Sequence, residues 1–177
     1  MVSSVTDIVP EPADRAVARI LAGGLDETPQ IRHVTQTILA GNPEGVVGNC
    51  VQAAVASLLD MDLGAVPHFA LNAGWLEHLC TWAALNGWLV LRHNPGYHAR
   101  MAIASGPSPR GFQHAVVMLD GEIAWDPHPS RDGLLRVTDI WEFTPGDPAD
   151  TVFQLRLDNA RYVYAELGIP YPGAGKS

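Results

Sequence analysis

The most restrictive feature of this chain is the run Gly48-Asn49-Cys50-Val51-Gln52-Ala53-Ala54-Val55-Ala56-Ser57-Leu58-Leu59. Its apolar residues fall almost all round a helix rather than along one stripe, so the helix must be buried on every side. The rest of the chain has to wrap around it. Asn49 is a suitable N-cap residue, which puts Cys50 in the first turn.

The flanking segments supply the wrapping. After Pro10-Glu11-Pro12, residues Ala13, Ala16, Val17, Ile20 and Leu21 recur at helical spacing, and Gly23-Gly24 ends that helix. A further helix is expected from Asn72 to Asn86, stopped by Gly87, with an apolar face of Trp75, Leu76, Leu79, Cys80 and Ala83. Cys80 then reads as a small buried hydrophobe. Beyond Gly87 the character changes to strands at Trp88 to His93, Met101 to Ala104, Gln113 to Leu119, Glu122 to Asp126 and Leu135 to Phe143. The tail suggests a strand from Val152 to Leu157 and a short helix from Asp158 to Leu167. Helices precede strands instead of alternating with them, the pattern of an α+β fold. With 177 residues, one domain is expected: a helical extension over 1–33, a core over 34–143 and a C-terminal elaboration over 144–177.

Composition removes several function classes. Apolar residues make up 47% and charged residues 17%, a globular balance. The net charge of −8 comes without any basic run, which excludes a phosphate-backbone partner. No apolar stretch has the length of a membrane span. Met1-Val2-Ser3-Ser4-Val5-Thr6-Asp7 lacks the basic-then-apolar order of a secretory signal, so a cytoplasmic location is expected. Two cysteines, Cys50 and Cys80, do not make a disulfide scaffold.

Cys50 carries the chemistry. A thiolate attacks carbonyl carbon far better than a thiol, and the first turn of a helix favours negative charge. A base is then required. His114 opens the apolar strand His114-Ala115-Val116-Val117-Met118-Leu119 directly after the loop Ser105-Gly106-Pro107-Ser108-Pro109-Arg110-Gly111, rigid on one side and open on the other. Asp126 ends the partner strand and would hold the imidazole in its useful tautomer. Strand parity tests this assignment. A two-residue turn at Asp120-Gly121 pairs residue 119 with 122 and sends His114 and Asp126 to opposite faces; an odd-length loop or a bulge is needed to bring them together. Asp126-Pro127 is also a turn-starting pair in its own right.

Gly48-Asn49-Cys50, running into Ala53 to Leu59 and Val66-Pro67-His68-Phe69, resembles the nucleophile helix of papain-like cysteine peptidases, closest to small bacterial and phage members of the bacteriocin-processing (C39-like) and cell-wall NlpC/P60-like groups. The likeness extends through Ala104 to Gly111, His114-Ala115-Val116-Val117 and Trp125-Asp126-Pro127-His128-Pro129. It covers roughly residues 34 to 143 and includes Cys, His and Asp in the family's order. It implies a compact papain-like α+β domain, a nucleophile helix on a mostly antiparallel sheet, and a hydrolase acting on an amide, peptide or isopeptide with no cofactor or metal. Trp125 would shield the His–Asp hydrogen bond. The chain departs from the family where an oxyanion-stabilising glutamine is usual, shortly before the nucleophile, because that position holds Glu44. Gln36 would serve if Ala40 to Val47 is an insertion; otherwise the Cys50 backbone N–H and the Asn49 side chain remain.

Arg110 is a candidate substrate-binding residue, because its planar fork suits a carboxylate or phosphate. Three other readings stay open. The same triad could pass the acyl group to an amine, as an acyltransferase. The fold could be a catalytically idle module that binds a peptide or protein. His114, Asp126 and His128, with Cys50, could instead serve a metal-dependent enzyme. The expected partner is a peptide, protein or small amide substrate.

Overall fold

A computed structural model describes residues 31–41, 45–71 and 73–166. The helix expected at Ala13 to Ala22, the end of the tail, Glu44 and Asn72 lie outside the described residues. The elements are α1 (Cys50–Leu58), α2 (Trp75–Leu85), β1 (Trp88–His93), β2 (Met101–Pro107), β3 (Gln113–Leu119), β4 (Glu122–Trp125), β5 (Asp139–Pro145) and α3 (Thr151–Glu166). The strands form one five-stranded sheet in the order β1-β5-β2-β3-β4, and every pair is antiparallel. Helices α1 and α2 precede the sheet in sequence and pack on it, and α3 follows it and packs on α2, so the fold is α+β. Among the described residues no helix is long and apolar enough to cross a membrane.

Helix α1 is buried as its composition requires: Val51, Ala53, Ala54, Val55, Ala56, Ser57 and Leu58 are all inside. Its alanines let the helix backbone come close to the sheet, where Val55 and Leu58 share a core with Ile103, Ala115, Val117, Trp141 and Phe143. The segment 31–38 runs back along α1. The Arg32 N–H donates to the Ser57 carbonyl and the Val34 N–H to Ser57 Oγ, at 3.0 and 3.1 Å.

The opposite face of the sheet is made of small residues, Ala99, Ala102, Ala104 and Val116 with Met118 and Ile140, and is covered by Leu134 and Val137 from the loop between β4 and β5. That loop hydrogen-bonds along β2, with Leu135 N–H on the Pro107 carbonyl at 2.8 Å and Thr138 N–H on Ser105 at 2.7 Å. A Cβ at Gly106 would land on the carbonyl oxygen of Arg136. Gly106→Ala is therefore expected to destabilise the domain by about 1–3 kcal/mol, because two backbones must part to admit one methyl. Urea unfolding checks it, and a wild-type midpoint would mean that the loop can move away freely.

Two sequence expectations are corrected. The strand expected over Leu135 to Phe143 begins only at Asp139 and runs on to Pro145, because residues 134–138 bond to β2 as the covering loop. The segment Val152 to Leu157 is not a strand but the first half of α3. Asp150 caps it, with Oδ1 accepting from the Val152 and Phe153 N–H groups at 2.7 and 3.3 Å. The buried residues of α3 are Phe153 and Ala160, two helical turns apart, while Val152 and Leu155 are exposed.

Candidate active site

The loop between β3 and β4 uses Asp120 and Gly121, both at positive φ (49° and 81°), as the Asp-Gly pair predicts. Leu119 pairs with Glu122 and Met118 with Ile123, the register that separates His114 from Asp126. Between Val117 and Met118 the register then shifts, and Val117 pairs with Trp125. This bulge leaves Ala124 as the extra residue and reverses the parity of everything beyond it. Asp126 consequently follows β4 on the same face as His114.

His114 and Asp126 meet at 2.6 Å, Nε2 to Oδ1, with each residue only 5% exposed. Asp126 is held on both oxygens: Oδ1 also accepts from the His128 N–H at 2.7 Å, and Oδ2 from the Gly133 N–H at 2.8 Å. The bond to His128 is the two-residue Asx turn that Asp126-Pro127 suggested, so the same carboxylate starts the turn and holds the imidazole. Burial pushes the carboxyl upward, but the hydrogen bonds from His114, His128 and Gly133 outweigh it and bring the pKa down to about 2. Asp126 is then an acceptor only, and His114 must carry hydrogen on Nε2, leaving Nδ1 for another partner.

The other side chain that acts on the ring is Cys50. Burial lowers the pKa of His114, while its bond to Asp126 and then its hydrogen bond and charge interaction with Cys50 raise it, for a net rise above the ordinary histidine value. His114 is thus bonded to the Asp126 carboxylate and interacts with the Cys50 side chain. Cys50 and Cys80 are both free thiols. Cys80 packs at the edge of the main core, and burial, offset by Arg156 and aided by Glu77, pushes its thiol up.

Asn49 occupies the cap position but does not cap α1. Its Oδ1 accepts from the Thr37 and Ile38 N–H groups at 3.0 and 2.8 Å, and its Nδ2 donates to Thr37 Oγ1 and Gln52 Oε1 at 3.2 and 3.0 Å. Both amide hydrogens are engaged and the residue is buried, which takes its side chain away from an oxyanion role. The turn of Asn49 away from the helix leaves the first-turn N–H groups of α1 without its side-chain cap.

Gln36 comes to the site by a different route. The Asn49 N–H donates to the Ile38 carbonyl at 3.0 Å, which brings Gln36 beside the start of α1, and Ala40, Gly41 and Val47 from the intervening stretch line the same cavity. Gln36 is only 5% exposed and is tied to the acid loop through its N–H on the Pro127 carbonyl at 3.0 Å. Its Nε2 donates one hydrogen to the Ile38 carbonyl at 2.9 Å, and its Oε1 has no partner among the described residues. Gln36, Cys50, His114, Arg110 and His128 all line one cavity of about 980 Å³, whose apolar wall includes Val51, Trp75, Leu76 and Trp141.

Trp125 follows the bulge and is clamped on both faces. The His33 ring stacks on it at 4.1 Å, the Arg131 guanidinium lies 3.9 Å from its centroid, and its Nε1 donates to the Val34 carbonyl at 2.9 Å. Arg131 also donates to the carbonyls of Asp126 and His128 and to Thr35 Oγ1. Arg131, Ser130 and Gly133 were not singled out from the sequence. Their only advance signal was the turn-rich run Asp126 to Gly133, which is ambiguous by itself. Among the described residues no group of three or more His, Cys, Asp or Glu is arranged to hold a metal ion; Asp126 bonds directly to His114, and His128 Nδ1 faces Ser130.

Searches against protein-family models, curated proteins and solved structures return no match to this chain.

Proposed function

We propose that the chain is a papain-like cysteine-dependent hydrolase of amide or peptide bonds, with Cys50 as nucleophile, His114 as base and acid, and Asp126 as the group that orients the imidazole. The observation that carries this reading is an imidazole that is hydrogen-bonded to a buried carboxylate, interacts with the Cys50 side chain and shares with it the wall of a substrate-sized cavity. A helix bearing the cysteine and an antiparallel sheet bearing the histidine support the papain-like form.

The reaction proceeds by acyl transfer. The Cys50 S–H proton moves to His114 Nδ1 as sulfur bonds to the acyl carbon. The C–N bond breaks, the proton on Nδ1 passes to the departing amine, and a thioester remains on Cys50. Water gives a proton to Nδ1 and its oxygen attacks the thioester; the C–S bond breaks, and the proton returns to sulfur as the acid leaves. The negative oxygen formed in each addition is met by the Cys50 backbone N–H at the open start of α1 and by the second Nε2 hydrogen of Gln36.

A library of peptides ending in an electrophilic ketone tests the assignment. One covalent adduct, mapped to Cys50 by intact and peptide mass and absent in Cys50→Ala, is the expected result. Labelling confined to Cys80, or none under conditions where free cysteine reacts, would overturn it.

A further inference from the structure

Two cavity residues have no part in the steps above, and their bonding fixes what they can offer. Arg110, in the loop between β2 and β3, donates from Nη1 to Ser130 Oγ at 3.0 Å and, more distantly, to Asp132 Oδ2 at 3.4 Å. Its side chain is 19% exposed. A guanidinium has only donors, so Ser130 Oγ accepts from it and turns its own hydrogen toward His128 Nδ1, 2.8 Å away. The Ser130 backbone N–H points at the same nitrogen from 3.1 Å. With two donors aimed at it, Nδ1 must present its lone pair, and the ring hydrogen of His128 is forced onto Nε2. Burial first, and then the charges of Arg110 and His114, hold the His128 pKa below its ordinary value, which keeps this donor neutral. The His128 ring stands perpendicular to that of His114 with centroids 5.9 Å apart. Because His114 protonates the departing amine, a group held by His128 lies on the leaving-group side.

We propose that Arg110 and His128 form a carboxylate-binding subsite on the leaving-group side of the cavity, so that the favoured substrates release an amine that bears a free carboxylate. The proposal rests on the catalytic reading for the identity of that side. A carboxylate offers two coplanar oxygens, one for the remaining donors of the guanidinium and one for the His128 Nε2–H. Asp139, the acid among the described cavity-lining residues, is paired with Arg92 and does not compete. The chain's net charge of −8 opposes an anion only at distances that salt screens over about 10 Å, so the local cation decides.

Nitrogen NMR of the whole labelled chain tests the subsite without reference to catalysis. His128, assigned with His128→Gln, is expected in the Nε2–H tautomer at neutral pH, and its Nε2 signal is expected to move on adding N-acetylglycine but not N-acetylglycinamide. An Nδ1–H tautomer, or equal responses to acid and amide, would sink the proposal. Alkylation of Cys50 by N-iodoacetylglycine against its amide gives the kinetic form. The acid-to-amide rate ratio is expected to exceed that of free cysteine about tenfold or more, and to fall to the free-cysteine value in Arg110→Gln. A ratio that Arg110→Gln leaves unchanged would overturn the subsite. Failure of Cys50 to react with iodoacetamide would instead count against the catalytic reading, while the NMR titration still decides the subsite.

Discussion

Replacing His114 by alanine is expected to slow acylation of Cys50 by about 10²-fold with an activated ester and by up to about 10⁴-fold with an amide. The two numbers differ for a chemical reason. A p-nitrophenolate leaves without a proton, so an ester such as p-nitrophenyl acetate needs His114 only to accept the thiol proton. An amine cannot leave as its anion, so an amide needs the same ring to give that proton back. The burst of nitrophenolate reads the first role, and cleavage of a peptide anilide built on a captured sequence reads both. Cys80, whose thiol is pushed up by burial, provides an internal reference for nonspecific chemistry. A His114→Ala variant that acylates at the wild-type rate, corrected for the folded fraction, would remove the imidazole from the mechanism. Equal losses with ester and amide would leave it a base but not an acid.

How much of this site could be read in advance depends on the range of the interaction involved. The boundaries of β1 and β3 and the position of Cys50 at the start of α1 follow from local patterning, because apolar spacing and turn residues act over a few positions. The pairing of His114 with Asp126 does not. The Asp120-Gly121 turn was legible and, taken alone, puts the two on opposite faces; the bulge at Ala124 that reverses this adjoins Trp125, which packs between His33 far upstream and Arg131 downstream. No local pattern encodes a clamp whose halves lie so far apart in the chain. Asn49 shows the same limit. Its residue type suits a cap, yet the segment at Thr37 and Ile38 offers two N–H donors and takes the side chain instead. The strand expected at Val152 to Leu157 failed for a nearer reason. The alternation of apolar residues there competed with an Asp150 cap and with the Phe153–Ala160 spacing, and the helical signals won.

Removing the carboxylate of Asp126 is expected to cost about 3–5 kcal/mol of stability near pH 5.5, the usual penalty for breaking a buried, hydrogen-bonded ion pair. Asp126→Ala strands the imidazole N–H of His114 and the backbone N–H groups of His128 and Gly133, all of which point at one carboxylate. Asp126→Asn should rescue only part of this, since its amide nitrogen must face a donor on one side or the other. The pH dependence separates charge from packing. The Asp126 pKa is depressed from 3.8 to about 2, so its contribution is complete above the unfolded value and fades as pH falls from about 4 toward 2; by linkage the difference is worth about 2 kcal/mol. His114 is shifted the other way. Its contribution is complete below the unfolded value near 6.5 and fades as pH rises through the higher folded value. The gap between wild type and Asp126→Ala is thus expected to be widest between about pH 4 and pH 6.5 and to narrow on both sides. Guanidinium unfolding of both proteins at about pH 2.5, 5.5 and 9 measures it. A gap that stays constant across that range would mean that Asp126 only fills space beside His114, and the chain would then lack the oriented imidazole on which the proposed chemistry depends.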